Sequence, residues 1–194
     1  MKKALLALGL FFFPAAFVFA QPVSGKNLLQ NGTFNTGEMR KVSRWIFPPT
    51  PIKNLGTDAE HVEWGGELEA DANSVLFIAT KAPIKAQLWW QQEVAAQPGA
   101  VYTLSVRMVA EIVESAAGRT YSTPDVGIYF LNAGGRWIGY QRLPSPKEFS
   151  PEWTPVSMKV TAPDDAVKIG VRLGMSTSAQ IKVRFDDAVL TLAP

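Results

Sequence analysis

The chain has 194 residues, 47% hydrophobic and 19% charged, which is enough apolar material for one compact domain and too little for two large ones. Its 15 Gly and 14 Pro are spread along the sequence, which excludes a collagen-like repeat and a low-complexity disordered chain. Cysteine is absent, which excludes disulfide frameworks, thiolate zinc sites, thiol nucleophiles and the lipidated cysteine of a bacterial lipoprotein.

Residues 1–20 have a composition of their own. Lys2 and Lys3 precede an apolar run from Ala4 to Ala20, and the run closes on Val18-Phe19-Ala20, with small residues where a signal peptidase reads. This is the pattern of a secretory signal peptide cleaved before Gln21; the alternative is an uncleaved anchor. The expected mature chain, 21–194, is then a single domain, secreted or periplasmic, with no membrane span. Lys2 and Lys3 account for the surplus of 19 Lys+Arg over 17 Asp+Glu, so the mature chain carries no formal net charge. Without a basic stripe a nucleic-acid partner is excluded, and a monomer is expected.

From Thr36 to Asn73 the pattern is irregular. Pro48, Pro49 and Pro51 are followed by Gly56, Gly65 and Gly66, which predicts long loops with one or two strands. From Gln87 onward hydrophobic alternation dominates. Trp90, Gln92 and Val94 fall on one face; Tyr102, Leu104, Val106, Met108 and Ala110 on another. Val126, Ile128 and Phe130 repeat the pattern, as do Val167, Ile169, Val171, Leu173 and Met175. Gln97-Pro98-Gly99-Ala100 predicts a turn, and Asn132-Ala133-Gly134-Gly135 joins Val126–Leu131 to Trp137–Arg142 as a hairpin. Val109–Gly118 has room for a short helical turn, and no longer window carries an amphipathic helix. Several short strands separated by turns predict an all-β, antiparallel β-sandwich.

Near the mature N-terminus stands Asn27-Leu28-Leu29-Gln30-Asn31-Gly32-Thr33-Phe34-Asn35, followed by Trp45. Gln92-Glu93-Val94, Pro98-Gly99, Tyr102-Thr103-Leu104-Ser105, Trp153, Val160-Thr161-Ala162-Pro163 and Phe185-Asp186-Asp187 with Leu190 come after it in order. The set resembles carbohydrate-binding modules of families four, nine and twenty-two and covers nearly all of the mature chain. The resemblance implies a galactose-binding-domain-like jelly roll that binds a polysaccharide or oligosaccharide on one sheet face or its rim. It also implies that Trp45 and Trp153 are core. It further implies a structural calcium ion near the terminal strands, held by Asn35, Asp187 and carbonyls of the Asn31-Gly32-Thr33 turn. Thr33 and Asn35 stand where the family usually has acidic residues, so such a site would carry fewer charges.

A sugar ring has an apolar face of C–H groups and a rim of hydroxyls, so a site for it needs exposed aromatic rings beside planar polar groups. Alternation places Trp89, Gln91 and Glu93 opposite the core and, by the same rule, exposes Arg107, Tyr129 and Arg172. In the hairpin, Tyr140 and Arg142 are the expected exposed pair, unless a bulge reverses the choice. Gly127, Gly170 and Gly174 share the outer face, where they would leave a shallow trough for a flat sugar chain or relieve crowding in a curved sheet. The expected ligand-binding set is therefore Trp89, Gln91, Arg107, Tyr129, Tyr140, Arg142 and Arg172.

Catalysis has little to build on. His61 is the only histidine and lies in Glu60-His61-Val62-Glu63 with no nucleophile elbow, which excludes a multi-histidine metal site and leaves a triad unsupported. Glycosidases need only two carboxylates, so a glycan hydrolase or lyase on a jelly-roll scaffold stays open as an alternative, as does an envelope or extracellular-matrix interaction protein. The expectation is a binding module with no enzymatic activity.

Overall fold

The computed structural model describes residues 25–35, 37–38, 41–69, 74–115, 121–144 and 146–194, and the expected signal peptide lies outside them. In chain order the elements are β1 (Gly37–Glu38), β2 (Lys41–Val42), α1 (Pro49–Leu55), a 3-10 segment (Gly56–His61), β3 (Val62–Leu68), β4 (Ser74–Thr80) and β5 (Ala86–Ala95). Then come β6 (Val101–Ser115), β7 (Ser122–Pro124), β8 (Gly127–Leu131), β9 (Trp137–Arg142), β10 (Thr154–Thr161), β11 (Lys168–Thr177) and β12 (Ala179–Leu192).

Two antiparallel sheets face each other. The first has the order β10-β6-β12-β4-β3; the second has the order β5-β11-β8-β9, with β7 continuing the line of β8 along β11. The inward residues of both interdigitate in one core, including Leu104, Met108, Val183 and Phe185 from the first sheet and Leu88, Trp90, Ile128 and Val171 from the second. The all-β sandwich expected from alternation is therefore present.

Two local expectations change. Val109–Ser115 continues strand β6 and forms no helical turn, because β12 pairs with it over most of its length. The proline-rich segment holds a helix, α1, where loops were expected. Pro49 and Pro51 fall in its first turn, where the missing N–H has no intrahelical partner to lose, and Gly56 with φ 59° ends it. Its Ile52 and Leu55 pack against the core.

The Asn27–Asn35 motif docks the N-terminal segment onto both sheets. Asn27 Oδ1 accepts from the Leu29 and Leu190 amides, at 3.1 and 3.0 Å, while its Nδ2 donates to Ala188 O at 3.1 Å. Gln92 reaches from β5 to exchange two hydrogen bonds with the Gln30 backbone, at 2.7 and 2.9 Å. Trp45 is buried, with Phe34 edge-on at 5.4 Å and its Nε1 donating to Asn31 O. Trp153 is only half-buried: it lies outside the core under the guanidinium of Arg107, 5.0 Å from its ring centre, contrary to the core position expected for it.

Candidate functional site

The outer face of the second sheet is organised in rows that cross its strands. Trp89 on β5 opposes Gly174 on β11, whose carbonyl accepts from the Asp125 amide. In the next row Gln91, Arg172, Gly127 and Arg142 follow one another across four strands, and in the third Glu93, Gly170, Tyr129 and Tyr140 do the same. Each row sets a glycine beside a ring. A Cβ at Gly170 would strike the Tyr129 ring, one at Gly127 the Tyr140 ring, and one at Gly174 the Cβ of Trp89. The glycines thus carry the rings themselves and leave no open trough, which is the crowding-relief reading of these positions.

A β-bulge in the β8–β9 pair adds a ring that alternation does not place here. Phe130 opposes Gly139, but Leu131 opposes Trp137, so Ile138 is skipped and Trp137 swings onto this face. Trp137 stacks on Tyr129 with centroids 4.5 Å apart and planes at 7°, and it stays 47% exposed. Tyr140 and Arg142 keep the side that alternation gives them.

Beneath the rings lies a charged cluster. Asp125 sits between β7 and β8 with no solvent exposure. Its Oδ1 accepts from Tyr140 Oη at 2.7 Å and from Arg142 Nε at 3.0 Å, and its Oδ2 from Gln87 Nε2 at 2.8 Å and Arg172 at 3.4 Å. Burial alone would push this carboxyl up, but the Tyr140 and Gln87 hydrogen bonds and the two guanidinium charges outweigh it and hold Asp125 below the usual carboxylate range. The Tyr140 hydroxyl is pushed up to about 12, by burial first and then by Asp125, so it is a fixed neutral donor. Burial and the Glu93 charge push Tyr129 up as well, and its hydroxyl donates to Glu93 at 3.0 Å.

Arg172 fills the space between the rings. Its guanidinium carbon lies 3.9 Å from the centre of Trp89, 5.1 Å from Tyr140 and 5.3 Å from Trp137. A cation on an aromatic face is attracted by the ring quadrupole, more strongly when desolvated. Removing one partner of a buried ion pair such as Arg172–Asp125 costs about 3–5 kcal/mol, because the other charge is stranded.

Of the residues singled out in the sequence, Trp89, Gln91, Tyr129, Tyr140, Arg142 and Arg172 therefore meet on one face. Two of them are not exposed as alternation suggests. Tyr129 is 1% and Arg172 7% exposed, because Trp137 and Trp89 fold over them. Arg107 is elsewhere: β6 belongs to the first sheet, and alternation reports a side of a strand without reporting which sheet holds it. Asp125 and Trp137 were missed. A single aspartate after a proline gives no sequence signal, whereas Trp137 could have been found had the bulge been assumed.

No protein-family model and no curated protein sequence matches the chain. Solved structures do match. A carbohydrate-binding module of family four is 18% identical, with TM-score 0.55, over 84% of this chain and 98% of its own. The family 22 xylan-binding domain from Paenibacillus barcinonensis is 11% identical, with TM-score 0.56, over 90% and 98%. The chain shares the fold of these carbohydrate-binding modules. A two-module piece of a Clostridium thermocellum endo-1,4-β-D-xylanase, solved with xylohexaose, matches at 17% identity and TM-score 0.54; it covers 86% of this chain, and the chain spans only 28% of that longer one.

The residues expected to hold calcium are oxygen donors, as a hard cation requires, and several of those oxygens already have partners within the protein. Asp187 turns to Arg107, 3.4 Å away, and Asn35 is exposed. Asn31 O accepts from Trp45 Nε1 and Phe34 N, and Gly32 O from Ala188 N. Burial and the neighbouring Asp187 charge push Asp186 up despite the Asp187 N–H bond, and Arg107 supplies the cation beside the pair. With those oxygens already partnered, chelator treatment is expected to leave the thermal midpoint unchanged, whereas a fall of several degrees, reversed by calcium, would show a bound metal.

Proposed function

We propose that this protein binds a polysaccharide or oligosaccharide without cleaving it, on the outer face of the second sheet. The observation that carries this reading is the Trp137 ring, half-exposed and flat on Tyr129, beside the partly exposed Trp89 and the polar groups of Gln91, Glu93 and Arg142. A sugar's C–H face stacks on the rings while planar amide, carboxylate and guanidinium groups bond its hydroxyls. The two tyrosines, Arg172 and Asp125 lie beneath and hold the rings in place, which limits the entropy lost on binding.

The likeness of the fold to modules that bind xylan and other glycans supports the reading. The chemistry of the face argues against hydrolysis. Asp125 is buried, charged and held by two arginines, so it has no proton to give a leaving group, and Glu93 is engaged by Tyr129 and Lys168. The protein acts as an exported monomer: residues 1–20 direct it out of the cytoplasm, and mature material should begin at Gln21. Among the described residues no helix is long and apolar enough to cross a membrane.

A glycan array on the mature protein should select a ligand, and calorimetry should then show Trp137→Ala and Trp89→Ala each binding it about tenfold or more weakly, a loss of about 1–3 kcal/mol. Thermal melts control for folding, and no reducing ends should be released. Unchanged affinity in both variants, or release of reducing ends, would contradict the reading. Capture of other proteins with no glycan binding would favour a matrix interaction protein instead.

A further inference from the structure

The charges around the ring layer are unbalanced. Arg142 and Arg172 share the single carboxylate Asp125. Lys168 pairs with Glu93 at 3.2 Å. Beyond the edge strand β5, where Ile46 pairs with Gln91, a cleft of about 530 Å³ opens, lined by Arg44, Trp45, Ile46, Gln91, Glu93 and Lys168. Arg44 is exposed there and has no ion-pair partner among the described residues. Among the described residues the face and its adjoining cleft thus hold four cations against two anions, in a mature chain with no net charge.

The surplus is local to this side. On the outer face of the first sheet Arg107, Lys182 and Arg184 are outnumbered by the carboxylates they touch, Glu67, Glu69, Glu111, Asp186 and Asp187. The surplus is also accessible, since the side chains of Arg142 and Lys168 are 45% and 52% exposed. Their positions bracket the rings. Arg142 lies on β9, Lys168 projects beside β5 next to Arg44, and three strand spacings, roughly 14 Å, separate β9 from β5. A guanidinium matches a carboxylate in a planar, two-point contact.

We infer that the ligand of this face is an acidic polysaccharide, a chain of sugars bearing carboxylates, stacked on Trp137 and Trp89 with its carboxylates at Arg142 on one side and at Arg44 and Lys168 on the other. This rests on the carbohydrate-binding reading and narrows it from glycans in general to uronate-containing ones.

The test sets polygalacturonate, alginate, hyaluronan and glucuronoxylan each beside its own carboxyl-reduced counterpart, in which the carboxylate has become a neutral hydroxymethyl group. At least one acidic chain should bind about tenfold or more tightly than its reduced form, with an affinity that falls as sodium chloride is raised. Arg44→Gln and Arg142→Gln should each shrink that ratio several-fold, and Arg44, exposed on a loop outside the buried cluster, keeps the test independent of folding. Equal binding of the acidic and reduced forms, or a preference for a neutral glycan, would overturn the acidic-ligand inference and leave carbohydrate binding standing. Binding of no glycan, acidic or neutral, would overturn both.

Discussion

A fully buried carboxylate, Asp125, accepts hydrogen bonds from two arginines, a tyrosine and a glutamine, and the exposed face of the second sheet is arranged around it. An ionised group in a low-dielectric setting persists only when its lone pairs are occupied and its charge is answered. Arg172 answers it from β11 and Arg142 from β9, so the cluster ties together strands that are not neighbours. The same guanidinium that answers Asp125 is sandwiched by rings, which couples the charge pair to the orientation of Trp89, Tyr140 and Trp137.

Crowding on this face is resolved by omission. Four large rings and two arginines could not share one side of a twisted sheet if every strand position carried a Cβ, and Gly127, Gly170 and Gly174 stand where the rings come down. The outcome is a paved surface: the buried layer fixes its orientation and Trp137 forms its exposed top. The opposite sheet shows a different solution. Its outer face is a network of ion pairs around Arg184 and Glu67, both mostly buried, in which, among the described residues, carboxylates outnumber cations.

Alternation was a sound guide wherever a strand buries one side. It placed Trp89, Gln91 and Glu93 opposite Trp90 and Gln92, and it placed Tyr140 and Arg142 on the face they occupy. It could not tell that Arg107 belongs to the other sheet, because sheet membership is a matter of long-range pairing. It also could not tell that Tyr129 and Arg172, correctly turned away from the core, would be roofed over by neighbouring rings. The helix at Pro49–Leu55 escaped because prolines weigh against helices except in a first turn, and Asp125 escaped because its value comes from partners far away in sequence. The N-terminal motif was legible as a resemblance, and the structure supplies its physical role: Asn27 binds β12, and Gln92 binds the segment from β5.

The account stands or falls on whether a glycan meets the ring layer over Asp125. The six tryptophans each give an indole N–H resonance, which permits a direct reading by nuclear magnetic resonance on titration with the selected glycan. The resonances of Trp137 and Trp89 should shift and saturate together, while those of the buried Trp45 and Trp90 stay in place. Shifts confined to Trp64 or Trp153, with Trp137 and Trp89 unmoved, would put the ligand on another surface and contradict the account.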